Sequence, residues 1–365
     1  MIRKTDGSTA SPFPHSDVHT DLLLERDSAA VSNGFMQRLT RFLGGIMALA
    51  LIGANVGTLL ALLAGTGWPA ELFSHFPVQY AIAQIVGIAF FLIFRQRWLG
   101  LVSLPLLALN LWLLLPYYFF WQPGAAAATT GSDPSLRLMT LNLNARNTQA
   151  DLVLQAIEAE DPDLVLLIEM TPEWWQALPA EFQQRYPYRA SELDTGTFGI
   201  ALFSRLPFAS HDLYHFGSYG RPAIAAKICP EGASSSGETR CLHLLAMHPD
   251  PPITGTMARS RDTQFLEVGE YLGDVREPRQ IVIGDMNATP WSPVMRNFME
   301  RNDLRDSALG HGIHPTWFSR LLPFGIPIDH ILHNDGIVIL DRRVGPDVGS
   351  DHFPLTADIA LAPAE

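Results

Sequence analysis

Residues 280–287 read Gln-Ile-Val-Ile-Gly-Asp-Met-Asn, and their order decides the architecture. Ile281-Val282-Ile283 has the composition of a buried strand, yet it stops at Gly284 and two polar side chains, Asp285 and Asn287, follow at once. The same ending recurs along the C-terminal two thirds of the chain. The strand-like run Leu136 to Asn144 closes on Asn142 and Asn144, Leu164 to Glu169 closes on Glu169, and Cys241 to His248 closes on His248. Asp329 and His330 sit within the run Ile328 to His333, and Ser350-Asp351-His352 opens a last strand over Phe353 to Leu361. Phe198 to Ser204 and Ile224 to Ile228 read as further strands, and Thr148 to Glu160 and Arg259 to Val275 as amphipathic helices. Strands mixed with helices predict a layered α/β domain. Singly, an Asp after Gly is turn chemistry and a lone His is structural. Strand ends on one sheet edge converge, however, and converged carboxylates and histidines suit a hard cation and acid–base work.

Upstream of this domain the chain changes character. Residues 1 to about 38 are polar without an apolar period and predict a flexible cytoplasmic tail. Three uncharged apolar stretches follow within 39–121: Phe42 to Ala64, Val78 to Phe94 and Trp98 to Trp121. Each is near the ~20 residues that cross a bilayer as a helix, so a three-helix membrane anchor is expected. Arg38 and Arg41 precede the first stretch, Arg95 and Arg97 separate the second from the third, and the 65–77 connection has no Lys or Arg. The positive-inside rule then puts the N-terminus in the cytoplasm and everything after about residue 122 outside it. Residues 122–135, rich in Ala, Gly, Thr and Pro, predict a linker, and 136–365 a single large domain.

Composition narrows the function classes. The 365 residues are 47% hydrophobic and 17% charged, with 25 Lys+Arg against 37 Asp+Glu and a formal net charge of −12. From residue 125 onward 18 basic residues face 31 acidic ones, so the outer domain alone carries a net of −13. That balance opposes gripping long stretches of nucleic acid, which calls for a basic face. Two cysteines exclude a disulfide scaffold or a cysteine-rich metal cluster. Cys229 and Cys241 flank a polar insertion between two apolar runs, and both a bond and two free thiols are compatible with that spacing.

From Met139-Thr-Leu-Asn-Leu-Asn144 to Gly349-Ser-Asp-His-Phe-Pro-Leu355 the outer domain resembles the endonuclease/exonuclease/phosphatase superfamily. Gly284-Asp285-Met286-Asn287 and Ser350-Asp351-His352 are the most specific pieces. His314-Pro-Thr-Trp317 and Ile328-Asp329-His330-Ile331 fall in the family's order. Asp163-Leu-Val-Leu-Leu-Ile-Glu169 resembles its metal-ligand strand, with Ile168 where a Gln is common. The resemblance implies a four-layer α/β sandwich, two central mixed β-sheets flanked by helices, with Mg²⁺ as cofactor and Mn²⁺ as a substitute. It implies Glu169 as the principal metal ligand with Asn142 and Asp351 beside it. Asp285 would orient or deprotonate water, and Asn287 would hold a phosphate oxygen. Asp329 and His352 would form a carboxylate–imidazole pair, with His248 as the second histidine. Asn144, Arg221, Arg259 and Arg261 are candidate phosphate contacts.

The anchor and outer domain together resemble a membrane-anchored bacterial branch of that superfamily, located in the cytoplasmic membrane. This resemblance implies a Mg²⁺-dependent phosphohydrolase or phosphodiesterase acting outside the cytoplasm on a phosphate-containing substrate, such as a lipid-linked phosphate of the cell envelope. A membrane-tethered nuclease is the alternative, disfavoured by charge, and an inactive binding relative is a third reading. No protein partner is implied. Specificity is expected in the loops 186–197, 211–222 and 309–327.

Overall fold

A computed structural model describes residues 18–94, 97–119, 135–230 and 240–362. The 122–134 stretch of the expected linker, Arg95 and the first 17 residues lie outside them.

Three apolar helices come first: α1 (Val18–Ala61), α2 (Pro77–Ile93) and α3 (Arg97–Leu114). Helix α1 begins inside the segment expected to be a flexible tail. Residues 21–30, Asp-Leu-Leu-Leu-Glu-Arg-Asp-Ser-Ala-Ala, are mostly good helix formers, and extending an existing helix needs no second nucleation. The expectation of three full spans is also corrected. Among the described residues only Arg38–Ala61, 24 residues with a mean hydropathy of 1.9, is long and apolar enough to cross a membrane. Helix α2 has 17 residues and α3 has 18. Prolines set these lengths: Pro77 opens α2, and Pro116 follows the end of α3.

The three helices nonetheless pack as one bundle around a polar knot. Asn110 Nδ2 donates to Gln84 Oε1 at 2.9 Å and to Thr58 Oγ1 at 2.9 Å. Asn55 Nδ2 donates to Ser103 Oγ at 2.7 Å, and Gln84 Nε2 donates to Asn55 Oδ1 at 3.1 Å. Outward-facing residues such as Leu49, Ile93, Val102 and Trp112 are apolar and exposed. Polar groups joined inside and hydrocarbon outside is the arrangement of helices that associate in an apolar solvent.

The C-terminal domain contains two six-stranded sheets. The strands are β1 (Ser135–Asn142), β2 (Leu164–Ile168), β3 (Tyr188–Glu192), β4 (Ile200–Ser204), β5 (Phe208–Phe216), β6 (Arg221–Ile228), β7 (Leu242–Met247), β8 (Gln280–Asp285), β9 (Arg305–Asp306), β10 (Asp329–His333), β11 (Ile337–Val344) and β12 (Leu355–Leu361). One sheet runs β11-β12-β1-β2-β4-β3 and the other β5-β6-β7-β8-β10-β9. Each contains one parallel pair near its middle, β1 with β2 and β7 with β8, among antiparallel neighbours. The expected loops 186–197 and 211–222 therefore hold strands: β3, and most of β5 with the turn into β6. Both strands lie at sheet edges, where side chains stay partly wet and leave no apolar run to read.

Alternation along the strands builds the layers. Leu138, Leu166 and Ile168 face Ile224, Leu244 and Ile283 between the sheets. The other faces, with Met139, Leu141 and Val165 on one sheet and Leu245, Val282 and Leu332 on the other, are covered by helices. Helix α4 (Ala150–Glu160) covers the first, and α5 (Gly255–Val275) with α6 (Pro293–Arg301) covers the second. The order is helix, sheet, sheet, helix. Cys229 and Cys241 are disulfide-bonded, closing the base of the insertion between β6 and β7.

The helical bundle packs onto this domain. Tyr117, just after α3, meets Trp291 edge to face with ring centroids 5.8 Å apart, in a cluster with Ala81, Leu114 and Ala308. In the connection between α1 and α2, Trp68 Nε1 donates to Pro252 O at 3.0 Å, and Arg261 of α5 pairs with Glu71 at 3.1 Å.

Candidate active site

The strand ends identified in the sequence converge across the seam between the two sheets. Asn142, at the end of β1, donates from Nδ2 to Glu169 Oε1 at 3.2 Å and to Asp285 Oδ2, at the end of β8, at 3.1 Å. From the loop before β12, His352 meets Asp329 of β10 through Nδ1 at 2.8 Å, and its Nε2 lies 3.6 Å from Asp285 Oδ2. His248, just past β7, approaches the same oxygen at 3.5 Å. Asn142, Asp285, Asp329, His248 and His352 are all buried.

Local chemistry explains how the sequence reaches this geometry. Gly284 has φ of 146°, and a Cβ there would stand 2.0 Å from Met247 O, so only glycine lets β7 and β8 close together before His248 and Asp285. Asn144, Glu169 and Asn287 all adopt left-handed backbone, with φ of 55°, 59° and 47°. Non-glycine residues settle there only when their surroundings over-determine them. Here Glu169 Oε2 accepts from Ala145 N at 2.7 Å, and Asn287 Nδ2 donates to Pro249 O at 3.0 Å while its amide reaches Asp285 Oδ1 at 2.9 Å. Ser350 Oγ donates to Asn142 O at 2.7 Å and accepts from His352 N at 3.0 Å, pinning the last loop to β1. Asp351 accepts from Asn144 Nδ2 at 2.8 Å and Trp317 Nε1 at 3.2 Å. His330, one residue from Asp329 and so on the opposite face, instead joins Asp306 at 2.9 Å and Ala288 O at 3.0 Å.

The charges reinforce one another. Burial disfavours the charged form of Asp285, but His352 and His248 outweigh it and hold the carboxyl at about 2. Burial likewise works against the His352 imidazolium, but Asp329 and Asp285 overcome it and push its pKa up to about 10.

These groups line a cleft of about 510 Å³ together with Thr197, Phe198, Pro252, Ile253, Trp317 and Ile326. Three further lining residues, Leu72, His75 and Phe76, come from the connection between α1 and α2. Sequence reasoning placed them in a membrane connection and missed them. The signal available was Glu71 with His75, an i,i+4 polar pair in an otherwise apolar stretch.

The candidate phosphate contacts are placed differently from one another. Asn144 is engaged with Asp351. Arg221 pairs with the buried Asp250 at 2.6 Å and lies over the Phe198 ring, 3.2 Å from its centroid, so it supports a cleft wall. Arg259 is exposed and reaches Thr256 at 3.2 Å. Arg261 is only 1% exposed and is committed to Glu71 and Asp262, so it does not offer its charge to the cleft. Its position explains this: Ala258, Arg261, Phe265, Val268 and Leu272 share the buried stripe of α5.

Asp285, Asp329 and His352 can bring ligand atoms within 4.8 Å of one another. Beside the imidazoles of His248 and His352, the donors lining the cleft are oxygens of Asn142, Glu169, Asp285 and Asp351. Oxygen donors that include three carboxylates suit a hard divalent cation.

The profile of the Endonuclease/Exonuclease/phosphatase family matches residues 139–352, and the chain belongs to that family. Its members, endonucleases, exonucleases and phosphatases, are generally metal-dependent phosphoester hydrolases. Among solved structures, a family member from Beutenbergia cavernae is 18% identical, with a TM-score of 0.51 over 63% of this chain and 72% of that one. D. rerio TDP2 complexed with single-strand DNA product is 16% identical, with a TM-score of 0.51 over 63% of this chain and all of the other. A family protein from Bacteroides thetaiotaomicron is 15% identical, with a TM-score of 0.50 over 64% and 100%. These likenesses establish the fold. No curated protein matches the sequence.

Proposed function

We propose that the chain is a membrane-anchored, Mg²⁺-dependent phosphohydrolase or phosphodiesterase whose catalytic domain lies outside the cytoplasm of a bacterial cell. The observation that carries this reading is the convergence of Asn142, Glu169, His248, Asp285 and His352 on one cleft across the seam, with Asp329 behind His352. Glu169, with Asn142 and Asp351, would hold Mg²⁺, or Mn²⁺ as a substitute, which supplies charge neutralisation for the phosphoryl oxygens.

In hydrolysis a water oxygen bonds to phosphorus, the bond from phosphorus to the leaving oxygen breaks, and one proton passes from the water to the leaving oxygen. Asp285, with its carboxyl held low, orients the water and accepts its proton only as the new bond forms and the water grows acidic. The imidazoles of His248 and His352 are placed to return that proton to the leaving oxygen. His352, held protonated by Asp329, also sets a positive charge where negative charge builds up. Asn287 holds a phosphoryl oxygen.

The anchor supports the location. A single crossing by the Arg38–Ala61 stretch of α1 would leave the domain opposite the N-terminus, and Arg38 and Arg41 favour the cytoplasm for that terminus. The disulfide fits an oxidising compartment. Phosphates on membrane lipids are the favoured substrates over nucleic acid, whose approach the net of −13 opposes.

The test is a panel of isoprenyl pyrophosphate, phospholipid, sugar phosphate and DNA, offered to the full chain with Mg²⁺ and with chelator. Metal-dependent hydrolysis of a lipid-borne phosphate is expected. Hydrolysis of none of them would sink the reading, and efficient cleavage of DNA alone would replace it with the nuclease.

A further inference from the structure

The active-site cleft is more than a catalytic centre, because half of its wall has no catalytic chemistry. Leu72 and Phe76 face it from the connection between α1 and α2, and Pro252, Ile253 and Ile326 from the catalytic domain. Ile253 is 70% exposed, so it is not held there by core packing. We propose that this wall is an apolar subsite that seats the hydrocarbon group of an amphiphilic phosphate substrate, with the turn Ala70–His75 and Phe76 as its specificity element. The proposal rests on the hydrolase reading and deepens it.

The wall is built to stay in place. Glu71 pairs with Arg261 at 3.1 Å, and both are buried. His75 Nδ1 meets Thr289 Oγ1 at 2.9 Å. On either side, Trp68 Nε1 donates to Pro252 O at 3.0 Å and Gln79 Nε2 to Gly325 O at 2.9 Å. The connection is thus fastened to the two loops that supply the opposite side of the subsite, those of Pro252 and Ile326. An order of this kind fixes an apolar surface next to the reacting phosphate before any ligand arrives.

Position and charge select the occupant. The polar groups lie together on the catalytic side, as in sites that orient one polar head and bury an apolar remainder. The subsite adjoins the ends of α1 and α2, and the aromatic side chains of Trp68, Phe73 and Phe324 are exposed nearby in the same segments. Such residues suit the membrane–water interface, where an amphiphile presents its phosphate. A sugar phosphate or a nucleotide would leave the apolar wall against polar groups.

The experiment measures binding of methylphosphonate and octylphosphonate, with Mg²⁺, to the full chain in nanodiscs, subtracting empty nanodiscs. Burying methylenes predicts up to roughly fourfold tighter binding per carbon, so octylphosphonate should bind at least a hundredfold more tightly. Leu72→Ser with Phe76→Ser should cut that ratio at least tenfold, and Leu72→Met with Phe76→Leu should preserve most of it. Ile253→Ser, at an exposed position where folding is not at stake, should lower the ratio several-fold. Equal affinity for the two phosphonates, or a ratio unmoved by Ile253→Ser and by the double Ser variant, overturns the subsite. The hydrolase reading fails separately. Chain-length preference with no phosphate ester or anhydride cleaved keeps the subsite and removes the activity, and cleavage without preference does the reverse.

Discussion

Arg261 and Glu71, 190 residues apart in sequence, meet at 3.1 Å with almost no exposure of either side chain. One belongs to the long helix α5 and the other to the turn between two apolar helices. The helical bundle and the C-terminal domain are therefore a single folded unit at this point.

Removing one partner should cost far more than removing both. Arg261→Met leaves the buried Glu71 carboxylate with only His75, at 3.3 Å, and should destabilise the protein by roughly 3 kcal/mol. Arg261→Met combined with Glu71→Leu should recover most of that loss, as read by chemical denaturation of the detergent-solubilised chain. Additive losses would mean that the pair contributes nothing beyond its separate side chains.

For the chemistry, Asp285→Asn should lower kcat by about 10³ or more while leaving divalent-ion affinity nearly intact. Glu169→Gln should instead raise the Mg²⁺ concentration needed for half-maximal rate. A reversal of these two signatures would exchange the roles assigned to the residues.

Protonation of His352 gives a pH dependence with a definite sign. Its folded pKa of about 10 lies above the ordinary 6.5, so its contribution to stability is complete below about pH 6.5 and is lost as pH rises through 10. Asp285, held at about 2 against 3.8, contributes above pH 3.8 and loses that contribution as pH falls toward 2. In chelator, Tm should accordingly fall on the alkaline side. Asp329→Asn should move that fall to lower pH, and an unchanged alkaline limb would exclude the Asp329–His352 pair as its source.

Topology can be read with reporters. One that works only outside the cytoplasm should be active when fused after residue 130 or 365 and silent when fused at residue 36, ahead of the Arg38–Ala61 stretch. An inactive fusion at 365 would place the catalytic domain in the cytoplasm.

The strand ends were legible because each combines an apolar run with an abrupt polar stop, as at Ile283-Gly284-Asp285, and such a signal is local. Strand β5 was not legible: Phe208–Phe216 is an edge strand whose side chains are mostly wet, so neither an apolar run nor strict alternation marks it. The contribution of Leu72, His75 and Phe76 to the cleft was hidden for another reason. It depends on contacts such as His75 with Thr289, 214 residues away, and no local pattern encodes a partner at that distance. Arg261 lay between these cases. Its place on the apolar stripe of its helix announces a buried arginine, although it does not reveal Glu71 as the reason.

The seam between the sheets has a consequence for how this protein would lose function. Asn142 and Glu169 ride on one sheet, Asp285 and Asp329 on the other, and short side-chain bonds such as Asn142 to Asp285 record their alignment. Sliding one sheet past the other by an ångström or so would preserve every backbone ladder and still dismantle the constellation. Core residues deep between the layers, Leu166 or Ile224 among them, therefore act as a vernier for catalysis. Repacking them would surface first as altered kinetics in a protein that still looks well folded.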